Sequence, residues 1–362
     1  MFLNLNEVAI EGRVKLERQL RKMWSGLKVW TTELLHIDDI PHHYREHCIV
    51  RGYRKPKSSA TDCVLSVFQL TNETLNFWTH FLPFWYFIWR LVAVSYDFDF
   101  WVDPYTWPLL VFMLSCCAYP ITSSMAHCFN CMSDRAQHIS YFMDYGALSL
   151  YSLGSGIAYH AYVFPDSFIG SWFDDVFLRV ATFLAVGCTL LSCMSRFEDR
   201  PRIRKALRLL SFSLPYFFNS VPLCYRVFLC HGEGCSHNEA VIIYYWMLFF
   251  SFLTPFLYAT HIPEVLAPGK FDLIGHSHQL FHVTGIIATN FQISGVLTDL
   301  QMRREFLDVV RPQPMEFWDN IGLMSLVLMK NLLIILFFTL SLYVEKPTWL
   351  KVRGHGIKGK VD

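Results

Sequence analysis

Eight runs of mostly apolar residues divide this chain, near 74–95, 107–127, 139–162, 173–194, 207–229, 240–260, 279–298 and 318–343. Each has about the 20 residues that a helix needs to cross the hydrocarbon of a bilayer. Lipid offers the backbone no hydrogen-bond partner, so a spanning segment must satisfy its own amides, and long runs without strict alternation do so as helices. The expected fold class is all-α, a polytopic membrane helix bundle. The seventh run is the least apolar and a longer, charged linker separates it from the eighth, so seven crossings is the fallback count. Composition agrees: 53% of residues are hydrophobic, 17% aromatic and only 17% charged. A formal charge of +1 leaves no electrostatic footprint for a nucleic-acid partner, and none is expected.

Lys and Arg outside the runs set the orientation, because cytoplasmic loops carry their excess. The tail before the first run holds 11, whereas the loop Tyr96 to Thr106 has none and contains Asp97, Asp99 and Asp103. The third loop has none and holds Asp166, Asp174 and Asp175, while the fourth holds Arg196, Arg200, Arg202, Arg204, Lys205 and Arg208. The tail after the last run has Lys346, Lys351, Arg353, Lys358 and Lys360. This alternation places both termini in the cytoplasm. The seventh loop dissents, with Arg303, Arg304 and Arg311 on the side assigned outside. No cleavable signal peptide is expected, since the first thirty residues are basic and lack an apolar stretch. The chain divides into a cytoplasmic tail, 1–72, a transmembrane core, 73–300, an outer linker with the eighth helix, 301–344, and a second cytoplasmic tail, 345–362. Within the first tail, residues 37–54 mix apolar and charged side chains around Pro41 and suit either a short interfacial helix or a solvated segment.

Three polar stretches interrupt the apolar runs at one membrane depth: Ser123 to His127, Asp144, and His278 to His282. Two histidines four apart on a helix share a face and can grip one cation. With 15 histidines in 362 residues such a pair also arises by chance, as His43 and His47 in the tail illustrate. The pair gains weight from lying level with His127 and Asp144, because ionisable groups in a membrane are costly and default to a functional reading. Three nitrogens, from His127, His278 and His282, would leave a fourth position for water, as in catalytic zinc sites. Asp144 either binds directly or holds that water, and Ser123 lies one turn before His127 on the same face.

Other constellations stay open. Glu73, Asn76 and His80 form one helical stripe that either approaches this site or, the favoured reading, bonds neighbouring helices. Cys128 and Cys131 with His138 sketch a rival zinc knuckle that lacks a second cysteine pair. Cys230 and Cys235 bracket an outer loop where a local disulfide is permitted. Lys330, in mid-helix beside Asn331, would neutralise a carboxylate, contact a ligand carbonyl, or show the eighth run to be misplaced. Arg179 and Arg226 lie near outer helix ends, where they can snorkel.

These residues resemble the progestin and adipoQ receptor family. Its marks stand in order: Asn72-Glu73-Thr74-Leu75-Asn76-Phe77-Trp78-Thr79-His80, then Ser123-Ser124-Met125-Ala126-His127, then Asp144, then His276-Ser277-His278-Gln279-Leu280-Phe281-His282. The match runs from about Ile40 to the end of the seventh run. Gly52-Tyr53-Arg54, Phe142-Met143-Asp144-Tyr145-Gly146 and Leu266 to Asp272 are similar to the membrane progestin receptor branch, in its gamma and delta subgroup. The resemblance implies a seven-helix core with a cytoplasmic amino terminus and an added eighth helix. It also implies zinc on His127, His278 and His282, with Asp144 and Ser123 around the bound water. As function it implies a plasma-membrane receptor for a progestin or another steroid or lipid, embedded among membrane lipids and signalling through a heterotrimeric G protein and cyclic nucleotides. The alternative, by analogy with adiponectin receptors and alkaline ceramidases, is a zinc-dependent intramembrane hydrolase of ceramide-like lipid amides, with Asp144 and Ser123 in catalytic roles.

Overall fold

A computed structural model of the chain describes residues 33–232, 234–311 and 316–344. The basic residues of both tails that fall in 1–32 and 345–362 lie outside these described residues. Eight long helices fill the structure: α2 (Thr74–Asp97), α3 (Trp107–Phe129), α4 (Asp134–Ala158), α5 (Trp172–Ser195), α6 (Pro201–Cys224), α7 (Ala240–Thr260), α8 (Ser277–Met302) and α10 (Ile321–Ser341). Short helices α1 (Ala60–Ser66) and α9 (Arg304–Val310) precede α2 and follow α8. The chain folds as a polytopic helical membrane protein, and each long helix lies on one of the eight apolar runs.

Five of the eight, namely α3, α5, α7, α8 and α10, are long and apolar enough to span a membrane by length and composition alone. The seventh run, expected to be the least apolar, is among them. The three that are not carry the polar residues of the bundle: Glu73, Asn76 and His80 around α2, Asp144 and four serines on α4, and the basic start of α6. Neighbours in sequence pack in order from α2 to α6, and α7 packs along α8, which returns against α2. The eighth helix, α10, lies against α4 and α5 on the outside of this ring. Gly154 lets α4 approach α3 closely, since a Cβ there would lie 3.2 Å from the Phe112 Cα. Lys330 is exposed on the outer surface of α10 and has no ion-pair partner among the described residues. Asn331 beside it turns inward and donates to Ser149 Oγ at 3.1 Å.

The segment 37–54 is not an interfacial helix. It forms a two-stranded antiparallel ribbon, β1 (Leu35–His36) with β2 (Arg51–Tyr53), closed by two 3-10 turns over Ile40, Ile49 and Tyr53. Pro41 breaks the helical path, and the side chain of Asp272 takes the backbone amides of Val50 and Arg51, both at 3.1 Å. Gly52 has φ +92, and a Cβ there would strike Leu273 and sit 3.2 Å from the Asn72 amide, so only glycine lets the ribbon seat. Asp272 and Gly52 thereby tie the ribbon to the segment that leads into α8.

At the opposite end of the bundle, an ion-pair network joins the loops. Arg226, expected to snorkel, is instead fully buried and grips Asp299 with two nitrogens at 2.6 and 2.8 Å. Tyr244 and Asn238 donate to the same carboxylate, at 2.9 and 2.8 Å. Short π-helical turns, Tyr159–Val163 after α4 and Tyr225–Leu229 after α6, border this network. The first presents the Val163 carbonyl to Arg226, and the Tyr162 and Phe164 carbonyls to Arg303. Cys230 and Cys235 form a disulfide beside it. The three arginines that broke the charge alternation are each paired with an acid from another loop: Arg303 with Asp166, Arg304 with Asp103 and Arg311 with Asp174. Arg179 is exposed.

Candidate metal centre

Three helix ends converge at the ribbon end of the bundle. His127 sits in the last turn of α3, and His278 and His282 occupy the first turns of α8. Glu264 fixes the start of α8 by accepting from the backbone amide of Ser277, at 2.7 Å, and from its hydroxyl. One ring nitrogen from each of the three histidines lies within 4.8 Å of the others, and His278 Nε2 is 3.2 Å from His127 Nε2. Nitrogens about 2.0–2.1 Å from a tetrahedral zinc stand roughly 3.3 Å apart, so this spacing fits such an ion.

The second ring nitrogens of His127 and His282 are engaged elsewhere, which fixes those two rings. Glu73 Oε2 lies 2.7 Å from His127 Nδ1. The Asn76 carbonyl and Thr79 hydroxyl lie 3.2 and 3.1 Å from His282 Nδ1. A carboxylate on the far nitrogen of a ligating histidine is the usual outer partner of zinc-bound imidazole, because it sets the tautomer and sharpens the lone pair. Both Nε2 atoms are thus left for the centre. Asp144 is buried on α4 outside the 4.8 Å group, and its Oδ1 has no hydrogen-bond partner among the described residues. An orphaned carboxylate oxygen in a buried site is costly unless a cation or water satisfies it. Ser123 is buried one turn before His127. The donor set and the unsatisfied Asp144 oxygen therefore fit a divalent metal of the zinc type.

The stripe Glu73, Asn76 and His80 belongs to this centre rather than to general helix bonding. Glu73 and Asn76 hold the rings as described, and His80 stacks on His282 with ring centroids 3.7 Å apart. Its i, i+3, i+7 spacing was the available signal, and the polar face turned toward the histidines instead of a bare helix seam. Sequence reasoning used Arg54 only as part of the Gly52-Tyr53-Arg54 resemblance and gave it no place at the centre. This buried arginine, before α1, donates to the backbone carbonyls of His127 and Cys128 and to the side chains of Ser66 and Asn130. Asn130 in turn donates to Glu73 Oε1 at 2.7 Å. The rival knuckle does not assemble: Cys131 faces Cys63, and His138 accepts from Arg196. Among the described residues, the three histidines form the one group placed to hold a metal. The chance pair in the tail separates, with His43 bonded to Asp134 and His47 against the ring of His261.

The family model for haemolysin-III-related proteins matches residues 68–293, which spans every residue of the centre from Glu73 to His282. A membrane progestin receptor gamma-B of Danio rerio is 50% identical over 332 residues, covering 87% of this chain and 95% of its own length. The membrane progestin receptor gamma of Homo sapiens is 47% identical over 317 residues, 87% of this chain and 96% of that protein. The human membrane progestin receptor delta is 45% identical over 331 residues, 90% and 96% of the two chains.

Proposed function

This chain belongs to the haemolysin-III-related family, in its membrane progestin receptor branch, and from that premise we propose that it is a plasma-membrane receptor for a progestin or a related steroid. It is oriented with the amino terminus in the cytoplasm and acts through a heterotrimeric G protein on cyclic-nucleotide levels. The observation that carries this reading is 45–50% identity, along nearly the full length, to proteins named for progestin binding. The charge alternation supports the orientation, with the seventh-loop arginines, each paired with an acid, as its one exception. A steroid is apolar and reaches such a bundle from the lipid. The seam between α6 and α7 suits that entry, because Tyr216 and Phe217 meet Phe252 there as aromatic rings.

His127, His278 and His282 hold zinc in this reading, with Asp144 and Ser123 beside the remaining position. When bound, zinc supplies a Lewis acid and lowers the pKa of water at that position. Glu73 holds the His127 ring by its Nδ1 and turns Nε2 toward the centre. Glu73→Gln is therefore expected to weaken zinc affinity by about 10–100-fold, read by competition with a chromophoric chelator. Unchanged affinity would remove Glu73 from the centre.

The buried, unsatisfied Asp144 oxygen favours a second reading, a hydrolase of ceramide-like lipid amides. In it Asp144 orients a water or takes its proton, and Ser123 assists. The deciding experiment uses purified protein in lipid nanodiscs, assayed for tritiated progesterone binding and for fatty-acid release from labelled ceramide. Saturable, competable progesterone binding without turnover supports the receptor. Turnover that ceases in Asp144→Asn, with no saturable steroid binding, overturns it in favour of the hydrolase.

A further inference from the structure

Two thiols from distant parts of the chain meet under the metal centre. Cys63, on α1, and Cys131, in the turn between α3 and α4, are both buried, with sulfurs 3.6 Å apart. They form a small cluster with Val67 and Cys128, and the Ser58 amide donates to the Cys131 carbonyl at 3.3 Å. Both lie at the bundle end assigned to the cytoplasm, where thiols are normally kept reduced. We propose that Cys63 and Cys131 are an oxidisable pair that closes to a disulfide under peroxide and thereby loosens the metal centre. The second half of this inference rests on the zinc reading above.

The geometry favours this pair over the other free cysteines. A disulfide needs its sulfurs about 2.05 Å apart, so closure asks for a movement of roughly 1.5 Å in a short helix and a turn. Cys131 is the better nucleophile of the two. The Cys63 contact draws its pKa down, and the Arg54 guanidinium adds to this against the opposing effect of burial. The same contact pushes Cys63 up. Cys131 keeps a little exposure, 5%, in the field of the Arg54 guanidinium, while Cys63 has none, so only a small oxidant such as hydrogen peroxide reaches the pair and it meets Cys131 first. The Cys131 sulfur attacks one peroxide oxygen, the O–O bond breaks, and the departing hydroxide takes a proton to become water. The Cys63 sulfur then attacks the resulting sulfenic acid, its S–O bond breaks, and a second water leaves. Two thiols are oxidised by two electrons in all, and one peroxide is reduced.

The link to the metal runs through Arg54. Ser66 Oγ donates to the Cys63 carbonyl at 2.6 Å and accepts from Arg54 at 2.9 Å. Arg54 holds the carbonyls of His127 and Cys128 and the Asn130 side chain, and Asn130 donates to the carboxylate that braces His127. Drawing α1 toward the α3–α4 turn shifts this cradle and releases its hold on one of the three nitrogens.

The test treats purified, nanodisc-embedded full-length protein with hydrogen peroxide. Non-reducing peptide mass spectrometry follows the linkage, and zinc loss to a chelator is timed. The expected result is a Cys63–Cys131 linked peptide, reversed by dithiothreitol, with zinc leaving several-fold faster than from untreated protein. In Cys63→Ser the linkage disappears, Cys131 is trapped by dimedone as a sulfenic acid, and zinc release stays at the untreated rate. Linkage through Cys128 instead, no linkage, or linkage with unchanged zinc release each overturns the proposal. Zinc content of the untreated protein is read first, so an absent metal centre is recognised separately from a failed switch.

Discussion

His282→Ala should reduce bound zinc from about one ion per chain to background, as read by elemental analysis of monodisperse protein. The loss exceeds the about 10–100-fold expected of an outer partner such as Glu73, because an inner nitrogen is removed outright. His282 is also the ring on which His80 stacks, so both groups lose their fixed positions together. Helicity should survive, since α8 keeps its first-turn anchor through Ser277 and Glu264, at 2.7 Å. His282→Gln serves as a second variant that fills the space without a ring nitrogen. What else is lost separates the roles of the metal. Joint loss of folding and steroid binding marks a structural clamp, and loss of ceramide turnover with an intact fold marks a catalyst. Steroid binding that survives marks a receptor whose ligand lies away from the ion. Full zinc retention in both variants would exclude the three-histidine centre.

The second large effect lies at the other end of the bundle. Arg226→Met is expected to cost about 3–5 kcal/mol of stability, because it leaves the Asp299 charge buried with only Tyr244 and Asn238 as donors. Thermal unfolding in detergent reads the drop. The pair itself need not be stabilising, since desolvating two charges opposes their attraction. Arg226→Met combined with Asp299→Leu should therefore recover most of the loss. A single variant as stable as the wild type would show that the network carries no fold energy.

Five of the long helices, α3, α5, α7, α8 and α10, were legible because lipid demands length together with apolarity, while α2, α4 and α6 showed through as apolar runs broken by polar residues. The meeting of His127, His278 and His282 followed from counting which way each run points. What escaped the sequence shares a cause: partners far apart along the chain with no local pattern. Arg226 and Asp299 are 73 positions apart, and each alone reads as a tolerable charge near a helix end. Glu73 was visible as part of a stripe, yet a stripe does not say which neighbour it faces. The ribbon at 35–53 was not foreseen, and residues 37–54 stayed open between an interfacial helix and a solvated segment, because the pattern mixes polar and apolar residues. It is held by Asp272, more than 200 positions away.

Arg54 has a consequence for how the molecule can be dissected. It stands before the first crossing, on the stretch read from sequence as a cytoplasmic tail, yet its guanidinium clasps the backbone of His127. A deletion that removes residues 35–60 would spare every long helix and still unfasten the polar heart of the protein. Any minimal version must begin ahead of β1, and shortened forms that traffic normally while failing to function are the phenotype to expect from cutting later.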